Sequence, residues 1–462
     1  MYGKINEFFY FINAKTGNNI IIKPEEYEIY KNDIEEMLSL ENKSNNSVMD
    51  DNYFYETVNI SLNVTSTCNL MCKYCFNKAK KNKKLSYQNS ITFINKIISL
   101  TPNAHKYVVD MSGSGEPLLE LPTLIKIADY CYNKSNEIKK HIMPQFVCNG
   151  TLLTNDIAQQ LMKANILFGV SLDGNKKQHN KSRILKNGDG TFEIIMNNIK
   201  KIKPRDYIGA SVTITNDNMD ILKIVKFLSK HFKTIAVKIV RTKESLNWNK
   251  INNEYEKLAL YIINEAKKGN IKILKSILNG DDFFGKYIFR IFTNSSTDIR
   301  CDAGIGKYSL DTDLNIYTCS AAVGISKLTL GTLEDFNDTS IGKRIQNNSV
   351  ENKKCYECNY KKICGGECLV NLYYKKNSND MCNIKKHLIK LGLYLKGKFI
   401  YSFPHLYEQL LNFCKEINLR FYADTELEKL SHNTNLYTYM QLKWLKDNNI
   451  EEYNNVKNEI LN

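Results

Sequence analysis

Cys68-Asn69-Leu70-Met71-Cys72-Lys73-Tyr74-Cys75 places three thiols on one short loop, with no fourth ligand within easy reach. Three sulfurs on one loop can hold a four-iron cluster and leave one iron free for a small molecule. The loop directly follows an apolar stretch at 59–64 that reads as a strand. Ten of the 13 cysteines fall into three such groups. The second group is Cys301 with Cys319. The third is Cys355, Cys358, Cys364, Cys368 and Cys382. The chain therefore reads as built around several metal centres, one of them with an open site.

Composition sets the frame. The chain has 462 residues, enough for about three domains and a buried core. Hydrophobic residues make up 43% and charged residues 24%, as in an ordinary globular protein. No N-terminal apolar segment and no run of about 20 apolar residues is found, so neither a secretion signal nor a membrane span is expected. A cytoplasmic location follows by default. Thiols stay reduced there, which makes clustered cysteines metal ligands before disulfides. The net charge of +15 fits Lys spread over solvated faces, offset of cluster charge, or attraction of an acidic partner. The runs Lys80-Lys81 and Lys83-Lys84 are short and lack the interleaved aromatics of a nucleic-acid platform.

Along the chain, strands at 7–12 and 19–22 around the turn Thr16-Gly17-Asn18, then a helix from Pro24 to about Leu40, form a small unit. A polar linker follows at 41–52. Strands are then expected at 59–64, 107–111, 145–148, 167–172, 210–214 and 236–240. Helices are expected at about 87–100, 119–136, 155–164, 191–202 and 218–231. This alternation predicts an α/β fold with a parallel sheet, whose ligand site lies at the carboxyl ends of the strands. Residues 250–280 read as helix, 296–385 as irregular and cysteine-rich, and 386–462 as helical again. Cys131 and Cys414 read as core residues.

The spacing C-x3-C-x2-C, with Tyr74 before its third cysteine, resembles the radical S-adenosylmethionine (SAM) superfamily. The resemblance implies a partial (β/α)6 TIM-like barrel and a [4Fe–4S] cluster on Cys68, Cys72 and Cys75. The open iron of that cluster would bind SAM. Ser112-Gly113-Ser114-Gly115-Glu116-Pro117 resembles the family's GGE-type motif, with Ser114 in place of a glycine. Gly115 and Glu116 would hold the SAM amino group. Cys148-Asn149-Gly150-Thr151 resembles the TNGT segment and brings in Asn149, while Cys148 reads as a buried small residue. Ser171-Leu172-Asp173-Gly174 resembles the S-[IL]-D-G motif. Ser171 would bond ribose or carboxylate. Asp173 would do the same or cap the following turn. Arg183 matches a family arginine that pairs with the SAM carboxylate, and His179 carries no assigned role.

The seven later cysteines resemble the SPASM domain of peptide-modifying radical SAM enzymes. The resemblance implies two auxiliary [4Fe–4S] clusters, one on Cys301, Cys319 and Cys368, the other on Cys355, Cys358, Cys364 and Cys382. Gly365-Gly366 would let the backbone fold tightly there. Three departures stand out. Leu314 occupies a common glycine position, Lys307 stands near where sulfatase-maturing members carry an extra cysteine, and Ser320 stands where they carry Asp. The domains expected are 1–52, a small hairpin–helix unit and linker able to grip a leader peptide; 53–285, the radical SAM core; 286–385, the SPASM domain; and 386–462, a helical segment.

The function implied is that of a maturase of ribosomally made peptides. A 5′-deoxyadenosyl radical would take a hydrogen from the substrate, and a thioether or carbon–carbon crosslink would form. The expected cofactors are SAM and three [4Fe–4S] clusters. The expected partners are a precursor peptide and an electron donor such as flavodoxin or ferredoxin, with neither a membrane nor nucleic acid. The alternatives are sulfatase-type oxidation of a protein Cys or Ser to formylglycine, and a zinc-stabilised nucleic-acid-binding module.

Overall fold

A computed structural model describes residues 1–40, 57–77, 82–203, 208–278, 282–297, 299–350, 355, 357–374, 376–421, 442, 445–446 and 449–461. The linker expected at 41–52 lies outside them. Six parallel strands run β4 (Thr57–Leu62), β5 (Lys106–Asp110), β6 (His141–Cys148), β7 (Leu167–Ser171), β8 (Gly209–Ile214) and β9 (Ile235–Ile239), neighbours in that order. All six match the expected strands within a few residues. Helices Tyr87–Leu100, Leu121–Ile138, Asn155–Lys163, Phe192–Lys201, Ile221–Leu228 and Trp248–Ala266 follow the successive strands. Their apolar stripes explain the packing. Ile221, Ile224, Val225 and Leu228, for example, are buried at i, i+3, i+4 and i+7. Ser86 and Thr154 cap their helices by accepting backbone N–H bonds from Asn89 and Ile157.

Three strands were not legible in the sequence. β10 (Lys307–Leu310), β11 (Asn315–Tyr317) and β12 (Thr329–Thr332) come from the stretch read as irregular. β10 pairs in parallel with β4, Tyr308 opposite Ile60, and β11 and β12 continue antiparallel. The sheet has nine strands, with β12 and β9 as its edges, so the six-stranded half is an open, partial barrel. The sheet thus runs unbroken from the core into the cysteine-rich segment.

Its interior is not filled like that of a closed barrel. β7 carries Leu167, Gly169 and Ser171 along the cavity wall, and β8 carries Gly209, Ser211 and Thr213. Gly169 and Gly209 are cross-strand partners, and a Cβ on Gly169 would meet the Gly209 carbonyl at 3.1 Å. Small residues stand where bulky Val, Ile and Leu normally fill a barrel, and a cavity remains.

The N-terminal unit is a three-stranded sheet, β1 (Tyr2–Ile5), β2 (Phe8–Ile12) and β3 (Asn19–Ile22), followed by helix Tyr27–Ser39. β1 was missed, its four residues being too short to show alternation. The unit docks on the long helix Lys376–Ser402. Phe8 stacks on Tyr401 at 5.6 Å. Buried Lys396 Nζ donates to Asn19 Oδ1, Ile291 O and Asn294 Oδ1 at 2.9, 2.9 and 3.1 Å. Among the described residues, no helix is long and apolar enough to cross a membrane.

Candidate active site

The three-cysteine loop leaves the carboxyl end of β4 and is held by backbone. Met71 N donates to Ile184 O at 2.8 Å, and Lys73 N to Ser182 O at 3.0 Å. Leu70 is fully buried beneath it. The loop is thereby fixed to the segment that carries Arg183. Cys68, Cys72 and Cys75 line a cavity of about 540 Å³ together with Gly115, Glu116, Asn149, Ser171 and Arg183. Burial, and next to it the sulfurs of Cys75 and Cys68, push the Cys72 thiol up to about 11, while Arg183 acts the other way. A thiol in that environment gives up its proton to a bound metal centre and not to bulk solvent.

Glycine is required beside the cysteine loop. A Cβ on Gly115 would meet Thr67 O at 2.3 Å and Thr65 O at 2.5 Å. Ser114, the departure from the family pattern, has its own use. Its N–H and hydroxyl both donate to Asn63 Oδ1 at 3.0 Å, and Asn63 Nδ2 donates to Ser309 Oγ on β10. Glu116 is 2% exposed and accepts from Asn149 N at 2.8 Å and Leu118 N at 3.3 Å. Burial raises its pKa from 4.5 to about 7 against those bonds. A carboxylate so placed gains most from a cationic partner in the cavity.

Asp173 sits differently from Ser171. It is 0% exposed. Its Oδ2 accepts from Tyr74 Oη at 2.7 Å and Arg183 Nε at 2.9 Å, and its Oδ1 from Thr213 N at 2.9 Å. The geometry makes it a positioning residue for Tyr74 and Arg183, whose guanidinium also lies 5.3 Å from the Tyr74 ring. His179 was passed over in the sequence and completes this network. Its Nδ1 accepts from Asp173 N at 3.2 Å, its Nε2 faces Thr191 Oγ1 at 2.9 Å, and Thr191 donates to Arg183 O. Burial first, then Arg183, pushes its pKa down to about 3, so the ring is neutral, with its proton on Nε2. No local signal distinguishes such a histidine from any other.

A second cavity, about 600 Å³, is lined by Cys301, Cys319 and Cys368. It shares Asp110, Gln145, Lys238, Arg241, Ser320 and Val370 with the first. Arg241, just past β9, is open to this space although it lies deep in the fold. It bonds Cys368 and is held charged by Cys368 first and also by Cys319 and Cys301, against the effect of burial. Sequence reasoning missed it, because nothing in Val240-Arg241-Thr242 marks a site. Ser320 lies in the wall of both cavities. The remaining set, Cys355, Cys358, Cys364 and Cys382, lies close enough for its sulfurs to act on one another. Burial first, and then Cys364, Cys382 and Cys358, raise the pKa of Cys355. Gly365 and Gly366 have φ of 75° and 97°, and a Cβ on Gly365 would meet Ile299 O at 2.4 Å. Cys131, Cys148 and Cys414 are buried. Among the described residues, no three or more His, Cys, Asp or Glu side chains converge as a single-ion site. A lone zinc would need every sulfur within about 2.3 Å of one point.

The donor chemistry of the first cavity fits a three-thiolate iron–sulfur cluster beside a small cationic ligand. The comparisons agree. Residues 62–228 match the family described as the radical SAM superfamily. A cysteine-type anaerobic sulfatase-maturating enzyme of Clostridium novyi is 25% identical over 333 residues, covering 66% of this chain and 85% of that one. The radical SAM cyclopropyl synthase TigE of Paramaledivibacter caminithermalis is 27% identical over 177 residues, covering 35% of this chain and 36% of that one. The solved structure of native anSMEcpe with bound AdoMet and Cp18Cys peptide has a TM-score of 0.61. It covers 78% of this chain and 99% of that chain at 19% identity, a likeness of fold. Residues 62–228 thus form a radical SAM domain, with a [4Fe–4S] cluster and SAM as its cofactors, and the chain is an enzyme similar to a sulfatase-maturating enzyme and a cyclopropyl synthase of that superfamily.

Proposed function

We propose that this enzyme modifies a ribosomally made peptide, joining two of its residues by a thioether or carbon–carbon bond. In this reading Cys68, Cys72 and Cys75 hold the first cluster, and Gly115, Glu116, Asn149 and Ser171 bind SAM beside it. Cys301, Cys319 and Cys368 hold one auxiliary cluster, and Cys355, Cys358, Cys364 and Cys382 hold the other. The bound cofactors supply hydrogen abstraction by a 5′-deoxyadenosyl radical, with an electron from a flavodoxin- or ferredoxin-like donor. The protein's share is positional. Glu116 holds an ammonium, Gly115 lets backbone approach it, and the Asp173–Tyr74–Arg183 network fixes the wall opposite. The observation that carries this reading is the shared wall of the two cavities, through which a bound peptide residue reaches both cysteine sets. The exposed edge of the N-terminal sheet, β1, suits a leader peptide added as a further strand.

The test is anaerobic purification of the wild type and of a variant with Cys68, Cys72 and Cys75 changed to Ala. The wild type is expected to carry about 12 irons per chain, and the variant about four fewer. The variant should also release no 5′-deoxyadenosine. Continued release would sink the reading.

A second reading, oxidation of a protein Cys or Ser to formylglycine, is favoured by the sulfatase-maturating relative. Against it stand Ser320 and Lys307, where that chemistry's base and extra ligand are expected. A crosslink and an aldehyde made from Ser both lose two hydrogens, so mass alone does not separate those two, whereas an aldehyde made from Cys also exchanges sulfur for oxygen. An aldehyde that reacts with a hydrazide probe would favour formylglycine.

A further inference from the structure

The second cavity is cationic beyond the needs of its own carboxylates. Lys286 and Arg290 sit one turn apart on helix Gly285–Phe292 and share a face. Arg300 enters from the loop before Cys301, and Arg241 from the end of β9; all four line the cavity. Lys286 and Arg300 lie over the same two rings. Lys286 is 4.7 Å from the Phe283 centroid and 5.2 Å from that of Tyr287; Arg300 is at 5.4 and 5.9 Å. Two cationic groups are thus pinned side by side, and burial first, then Arg300 and Arg290, holds the Lys286 ammonium pKa well below its ordinary value. Arg290 Nη1 donates to Ile363 O at 2.8 Å, and Arg300 Nη1 to Tyr287 Oη at 3.4 Å. Among the described residues none of the four forms an ion pair with a carboxylate. Of the carboxylates that line the cavity, Asp302 acts on Arg290 from a distance, and Glu367 is taken by Lys385 at 2.6 Å, a pair with side chains only 6% and 3% exposed.

Crowded like charges repel, and such a set is eased by the loss of a proton or by an anion that completes it. The cysteine thiolates meet part of that need, since Cys364, Cys301 and Cys368 all act on Arg300. Lys286 and Arg290 line the same cavity of about 600 Å³, part of which the cluster proposed on Cys301, Cys319 and Cys368 would fill. We propose that this cavity binds a carboxylate side chain of the substrate, an Asp or Glu a few residues from the modified position. Arg241 lines both cavities, so an acidic residue anchored in the second would place its neighbours beside the first. The proposal names a substrate class for the peptide-modifying reading and rests on it for the ligand's being a peptide.

The full chain, prepared anaerobically, is tested with two fluorescent end-blocked pentapeptides, Ala-Ala-Asp-Ala-Ala and its Asn twin. The Asp peptide is expected to bind at least about tenfold more tightly. The preference should fall to about twofold or less in Lys286→Gln and in Arg290→Gln, and survive in Lys286→Arg. Equal binding of the two peptides to the wild type overturns the proposal, and decides it even if the Gln variants do not fold. A preference that persists in both Gln variants overturns it as well. So does loss of iron from those variants in step with the preference, because the cations would then serve the clusters alone. Release of 5′-deoxyadenosine by the wild type without peptide tests the radical SAM reading separately. If that release fails while the Asp preference stands, the reading is lost and the site remains.

Discussion

Asp173 Oδ2 lies 2.9 Å from Arg183 Nε, with both side chains at most 9% exposed. The pair ties the end of β7 to the segment beneath the cysteine loop. Removing one partner leaves an uncompensated buried charge, at a cost of about 3–5 kcal/mol. Asp173→Ala is expected to lower stability by that order and to weaken SAM binding, because Tyr74 and Arg183 lose their anchor. Chemical denaturation and SAM titration measure both. A change under about 0.5 kcal/mol would mean the pair is not structural.

Glu116 predicts a pH dependence. Burial raises its pKa from 4.5 to about 7, so near pH 6 only about a tenth of the ligand-free protein holds it ionised. SAM affinity should rise about tenfold between pH 6 and pH 8, and Glu116→Gln should bind weakly with a flat profile. The stability effect has the opposite slope. A raised folded pKa favours the folded state below the unfolded value, and that contribution is lost as pH rises toward 7. The wild type should therefore lose up to about 3 kcal/mol relative to Glu116→Gln over that interval. Parallel slopes for the two proteins would contradict this.

Gly115→Ala places a Cβ 2.3 Å from Thr67 O, a backbone atom that cannot step aside. The loop must shift, while the distant core does not. SAM binding is expected to fall at least about tenfold with circular dichroism unchanged, whereas Gly188→Ala, with nothing within 4 Å of its Cβ but a φ of 92°, should cost stability through its strained backbone and leave SAM binding alone.

Leu314 adopts φ 64° between β10 and β11, a conformation that favours glycine. A non-glycine residue there stores about 1 kcal/mol or more of strain, offset by half-buried packing of its side chain. Leu314→Ala keeps the strain and loses the packing, so it should cost about 1–2 kcal/mol. Leu314→Gly relieves the strain and should cost less. Melting temperatures of the two variants check the order; Gly below Ala would refute it.

Much of the architecture was legible because its signals are local. The alternation of 59–64, 107–111 and the later strands with helical segments appears in the residues themselves. Ser86 and Thr154 announce helix starts, and the strand-end motifs follow at the expected places. β10 to β12 were not legible. They are three or four residues long, and β10 exists as a strand because β4, some 250 residues earlier, lends it a partner.

The cysteine spacing, the glycine at 115 and the strand–helix order come from neighbours along the chain, and they carry the family resemblance that implies the reaction class. The residues shared by the two cavities, the roles of Arg241 and His179, and the convergence of Lys286, Arg290 and Arg300 rest on contacts between segments far apart in sequence. Such contacts follow from how sheet and helices bury their apolar faces together. Spacing and composition carry no record of which side chains that packing turns toward the same space.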